Sequence, residues 1–118
     1  IMEEQLISFE TAKLAKEKGF TYAYEFYDKE GNIEDFGMVG GWTDCHDENY
    51  AAPTQSLLQK WLREVHNLHI SVNPKILPSN EIKYYLFKGK IKKDFKDLFN
   101  TYEDALEIGL QEALKLIK

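Results

Sequence analysis

The chain has 118 residues, the length of one ordinary domain and enough for a real hydrophobic core. Hydrophobic residues make up 43%, charged residues 30% and aromatics 14%, which excludes a disordered segment. The formal net charge of −5 offers no global attraction to nucleic-acid phosphates or to an anionic membrane. No run approaches the roughly 20 apolar residues of a membrane span, and the acidic opening lacks the basic-then-apolar pattern of a signal peptide. Ile1, ahead of Met2, is left out of the reading, so a single α+β domain over 2–118 is expected. Cys45 has no second cysteine to pair with, which fits a reducing cytoplasm, the location we expect.

Taken in chain order, the first predicted element is a helix over Phe9 to Lys18. Ser8 stands at its N-cap, Glu10 in the first turn, Lys13, Lys16 and Lys18 later, and Gly19 where it stops. Its apolar face, Phe9, Ala12, Ala15 and Leu14, is small enough for close packing on a sheet. Phe20 to Tyr27 is rich in strand formers, Asp28-Lys29-Glu30-Gly31-Asn32 supplies turn residues, and Ile33 to Val39 returns, which predicts a hairpin. Gly40 to Ala52 has neither period and reads as the longest loop.

The strongest pattern follows. Pro53 or Thr54 opens a helix in which Leu57, Leu58, Trp61, Leu62 and Val65 form one apolar stripe, with Trp61 expected in the core. Asn67 suits a left-handed terminus, and Leu68, Ile70 and Val72 then alternate with His69 and Ser71 as a half-buried strand would. Two prolines are expected to break regular structure over Asn73 to Asn80. Glu81 to Lys88 reads as a strand. Lys90 to Phe99 fits a helical stripe and a meander strand equally, and the extended reading is taken. Thr101 to Asp104 opens a last helix with a capping-box-like pair, and Gly109 in its middle calls for a close backbone contact. The whole predicts a single antiparallel sheet of about four or five strands packed with three helices, in the order α-β-β-α-β-β(-β)-α. Two helix-then-strand-pair units, Ser8 to Val39 and Thr54 to Lys88, suggest a structural repeat without aligned residues.

Two segments, Ala52-Pro53-Thr54-Gln55-Ser56-Leu57-Leu58-Gln59-Lys60-Trp61-Leu62-Arg63-Glu64-Val65-His66-Asn67 and Phe99 to Ile117, together with Ser8 to Phe20, resemble a family of small uncharacterised proteins of Bacteroides-type phages and prophages. They cover about half of the chain. The resemblance implies a bacterial or phage cytoplasmic setting and brings no activity, cofactor or catalytic residue.

Candidate chemistry is sparse. Cys45, His46, His66 and His69 are the only soft ligands, but adjacent Cys45 and His46 chelate one ion with difficulty, and His66 closes a helix while His69 lies on a strand; no metal site and no cofactor are expected. Asp44, Asp47 and Glu48 could orient His46 for acid–base work, or simply form a solvated acidic loop. Gly37-Met38-Val39-Gly40-Gly41 lacks the lysine of a phosphate loop, and no nucleophile motif is present, so an enzyme is not expected. Trp42 and Tyr50 flank the long loop and could anchor a protein partner, close over a small ligand, or tuck under the loop to hold it. Lys83, Lys88, Lys90, Lys92, Lys93 and Lys96 interleave with Tyr84, Tyr85, Phe87 and Phe95, a pattern shared by single-strand nucleic-acid binders and by lysine-protected edge strands. The edge-strand reading fits the acidic balance better. The expectation is a non-catalytic accessory protein that binds another protein. The alternative is a nucleic-acid-associated protein using Lys83 to Lys96, with Lys90, Lys92 and Lys93 as its contacts. No membrane partner is expected, and a symmetric homodimer is the assembly to look for if one forms.

Overall fold

The computed structural model describes residues 4–34, 43–44, 48–86 and 98–118. Within these the α+β class is observed, with helices α1 (Phe9–Glu17), α2 (Gln55–His66) and α3 (Tyr102–Lys115). Seven strands are described: β1 (Tyr22–Ala23), β2 (Phe26–Tyr27), β3 (Ile33–Glu34), β4 (Thr43–Asp44), β5 (Tyr50–Ala51), β6 (Val72–Ile76) and β7 (Ile82–Leu86). All pairings are antiparallel. The strands are shared among three small sheets, β1-β4, β3-β2-β5 and β6-β7, where the sequence suggested one.

Each helix begins on a hydroxyl cap, with Ser8, Thr54 and Thr101 accepting from Thr11 N–H, Leu57 N–H and Asp104 N–H. Asn67 closes α2 in the left-handed conformation, φ 54°, and its N–H and that of Leu68 both return to the Leu62 carbonyl.

The strand expected over Leu68 to Val72 begins instead at Val72. Leu68 is tied back to α2, and the Gln59 amide donates to the Ile70 carbonyl at 3.0 Å, so this segment is fixed to the helix rather than to a strand. Strand β6 then runs through Pro74, where the sequence suggested a break. The register explains the tolerance. Pro74 faces Tyr84, whose backbone N–H and C=O both bond to Phe99 on the other side, at 2.9 and 2.8 Å. Pro74 therefore occupies a non-hydrogen-bonded position on an edge strand, where its missing N–H costs no ladder bond. Of the segment Lys90 to Phe99 only the end is described, and there Phe99 pairs antiparallel with Tyr84, an extended arrangement.

Two turns share one geometry. In the first, Asp28 N–H donates to Asn32 O and Gly31 N–H to Asp28 O, with Gly31 at φ 87°. In the second, Leu77 N–H donates to Glu81 O and Asn80 N–H to Leu77 O, with Asn80 at φ 69°. Both are three-residue hairpin loops whose last residue must be left-handed, a position that suits Gly and Asn.

Helix α3 is the centre of the core. Ala105, Gly109 and Ala113 form one buried column and Leu106, Leu110 and Leu114 the next, so the small column admits close neighbours while the leucines fill space. A Cβ on Gly109 would lie 2.8 Å from Ile70 Cγ2 and 3.1 Å from Leu86 Cδ2, the close contact that a mid-helix glycine called for.

The three helices meet at one carboxylate. Glu107 Oε2 accepts from the Ser8 N–H and hydroxyl, each at 3.0 Å, and from the Thr11 hydroxyl; Oε1 accepts from the Gln55 amide at 2.9 Å. Gln55 also donates to the Glu103 carbonyl at 3.0 Å, and Gln111 donates to Thr11 Oγ1 at 3.0 Å. In a capping box the N-cap N–H is taken by a Glu at the third helical position. Thr11 occupies that position in α1, and Glu107 supplies the carboxylate from a helix 99 residues away in sequence. The negative charge also sits where the N-terminal end of the α1 dipole favours it. Nearby, the Tyr27 hydroxyl donates to the Ile7 carbonyl at 2.5 Å. Burial, then the charges of Glu107 and Glu25, hold the Tyr27 pKa above its ordinary value.

Three outcomes follow for stability, read by urea unfolding. Gly109→Ala should destabilise the fold, because overpacking against Ile70 and Leu86 costs about 1–3 kcal/mol and outweighs the roughly 1 kcal/mol gain in helix propensity; a more stable variant would contradict the packing described. Glu107→Ala should cost about 3–5 kcal/mol by leaving several partly buried donors without an acceptor, against under 0.5 kcal/mol for an ordinary surface glutamate. Tyr27 has a raised folded pKa, so its neutral form contributes stability that is fully present below the unfolded value of about 10 and lost as pH rises through the folded one. Tyr27→Phe should therefore show a smaller fall in stability between pH 9 and 11 than the parent; an unchanged alkaline slope would remove Tyr27 from that role.

Candidate functional site

The apolar stripe of α2 consists of two columns. Leu58 and Leu62 form the inner one and are fully buried, with Gln55 beside them. Leu57, Trp61 and Val65, spaced by four, form the outer one: Leu57 and Trp61 are half-buried, and Val65 is 62% exposed where the stripe predicted burial. The core, built on the leucine face of α3, covers the inner column fully, while Leu57 and Trp61 pack against it only in part and Val65 is left exposed. Trp61, expected in the core, packs edge-on against Phe20 at 5.2 Å and against the His66 ring at 4.6 Å.

The outer column forms one wall of an open groove. Gly19 to Tyr22 form the other, and the space enclosed is about 570 Å³. Tyr22 is 48% exposed there. A second groove of about 490 Å³ continues from the first, sharing Leu57 and Lys60 and adding Leu6, Tyr24, Pro53 and Arg63. Tyr24 is 54% exposed. Two structural devices hold these walls apart. The Phe20 N–H returns to the Ala15 carbonyl after the left-handed Gly19, φ 100°, which turns the chain out of α1. Ile7 N–H donates to Pro53 O and Gln55 N–H to Gln5 O, which fixes the start of α2 beside the first strand-like residues.

The charged groups of the groove are Lys60, Arg63 and Glu64 on α2, with Glu4 and Glu25 opposite. Glu4 accepts from the Ser56 hydroxyl at 2.7 Å. Lys60 and Arg63 are exposed and make no ion pair among the described residues. Six other described cations are engaged: Lys13 with Glu10, Lys29 with Glu48, Lys83 with Glu81, Lys115 with Glu112, and Lys16 and Lys18 with the Asn49 and Ile117 carbonyls, while Lys75 and Lys118, away from the groove, make no ion pair among the described residues.

Tyr50, the one described residue among those singled out from sequence for binding, lies elsewhere. Tyr50 packs edge-on against Phe9 at 5.6 Å, Phe9 against Tyr27 at 5.6 Å, and Lys16 Nζ lies 4.9 Å from the Tyr50 ring centre. Tyr50 thus fastens β5 to α1. Trp42, Lys90, Lys92 and Lys93 lie outside the described residues, as do Cys45, His46 and Asp47. Glu48 is exposed and paired with Lys29 at 3.1 Å. His66 and His69 do not converge, since His66 packs edge-on against Trp61 and His69 Nε2 contacts Asn67 Oδ1 at 3.1 Å. Lys83 contacts Glu81 and the Asn100 side chain.

The polar cluster at Glu107 is saturated by its own neighbours and joins elements of the fold. The groove is the concave place where apolar side chains remain partly uncovered, Ile76 and Ile82 being exposed on the β6-β7 hairpin, and a sequence signal for it exists: α2 carries two adjacent apolar columns, more than one packing partner covers. No protein-family model, curated protein or solved structure matches this chain.

Proposed function

We propose that the chain is a non-catalytic binding module that seats a partner protein on the groove beside α2. The observation that carries this is the partly uncovered outer column of α2, with Trp61 and Val65 lining an open apolar space together with Tyr22. Aromatic side chains in a partly desolvated depression are the anchors on which protein interfaces concentrate their binding energy, and contiguous exposed apolar surface is uncommon unless something covers it. The resemblance of the α1, α2 and α3 segments to small phage and prophage proteins supports an accessory role in a bacterial cytoplasm. Such a module would act by occupying or bridging its partner rather than by transforming it.

Val65 is exposed, so replacing it should leave the fold intact while placing a charge in the contact. Tagged parent protein should recover a stoichiometric protein partner from a bacterial host lysate treated with nuclease, and Val65→Asp should lose it. Recovery of nucleic acid, or of proteins that vanish on nuclease treatment, would overturn the reading in favour of the lysine-rich segment.

A further inference from the structure

The protein is acidic overall, and most of its described cations are engaged by carboxylates or carbonyls. Lys60, Arg63, Lys75 and Lys118 are exceptions among the described residues, and of these Lys60 and Arg63 stand at the groove. They lie three apart on α2, hence on neighbouring positions of one helix face. Lys60 lines both grooves and Arg63 the second. Three carboxylates line the same space, yet none comes within ion-pair distance of either cation, and Glu4 is turned to Ser56. The trench thus combines an apolar floor with two cations on its α2 rim that no carboxylate pairs directly, and with Glu4, Glu25 and Glu64 at other points of its lining.

On this basis, and resting on the reading of the groove as a protein-binding surface, we propose that its occupant is an apolar segment of a partner protein that carries carboxylates. Apolar side chains of the segment lie against Leu57, Trp61 and Val65, and its Asp or Glu side chains meet Lys60 and Arg63. Charge complementarity of this kind sets register and partner choice more than it sets affinity. A guanidinium also accepts a carboxylate in a two-pronged pair, which favours acidic residues over other acceptors at Arg63. A basic segment would set like charges against both cations, and a purely apolar one would leave them beside a desolvated contact with no carboxylate in ion-pair distance. Glu25 and Glu64 bound the same trench and would repel carboxylates placed next to them, so the acidic positions of the segment are confined to the part facing Lys60 and Arg63.

The test is selection of a displayed random dodecapeptide library on the immobilised full-length protein. The winning peptide is then titrated against the parent, Val65→Asp and the double variant Lys60→Glu/Arg63→Glu, all with circular dichroism to confirm folding. The expected result is a consensus of apolar residues with Asp or Glu, whose affinity falls about tenfold in the double variant and returns when the acidic residues of the peptide become lysines. An apolar consensus without acidic bias, lost in Val65→Asp but changed less than about twofold by the double variant, would overturn the acidic chemistry and leave the groove as a protein site. Absence of enrichment, or peptides indifferent to Val65→Asp, would overturn both. A concentration-dependent dimer of the parent that Val65→Asp dissociates would overturn the proposal in favour of a second copy of this chain.

Discussion

The Glu107 carboxylate is the interaction on which the arrangement of helices depends. It accepts from the cap of α1 and from the first residue of α2 while standing on α3, so one side chain fixes the relative position of three helices. Such a group is costly to bury and is tolerated because each oxygen is met by donors, including one at a favourable helix end. Around it the apolar packing is small and close: Ala105, Gly109 and Ala113 let Ile70 and the β6-β7 hairpin approach α3, and Leu106, Leu110 and Leu114 fill the remaining core. Polar specification and apolar packing act on the same helix, from different faces.

The groove follows from that arrangement. With the start of α2 held by Gln55 to Glu107 and by the backbone bonds to Gln5 and Ile7, the inner column of α2 is committed to the core. The outer column then faces the segment after Gly19, which is turned away from α1 and supplies Phe20 and Tyr22 as the opposite wall. Phe20 is buried against Trp61, so the aromatic floor is stiff while the rim is exposed. A preformed apolar depression with an ordered floor binds with a smaller ordering cost than a loop that must fold on its partner.

Much of the fold was legible because it is locally encoded. Ser8, Thr54 and Thr101 signalled helix starts, Asn67 a left-handed end, Asp28 to Asn32 a turn, and Gly109 a close contact, each through the chemistry of a few neighbouring residues. What was not legible depends on residues far apart in sequence. Glu107 reads as one more acidic residue early in a helix, and only the packing of α1 onto α3 makes it a cap. Pro74 reads as a breaker, and only the pairing of Tyr84 with Phe99 shows that its N–H is not needed. The groove lies between these cases: the two apolar columns of α2 are visible in the sequence, but which of them stays uncovered is decided by α3.

The central claim is that the outer column of α2 is a contact surface and not an incomplete part of the core. Amide hydrogen exchange of the full chain, alone and saturated with its captured partner, tests it most directly. New protection is expected to concentrate in 19–25 and 57–66, with β6, β7 and the α1 end near Tyr50 unchanged. Protection confined to β7 and the segment that follows it, with α2 exchanging as before, would contradict it.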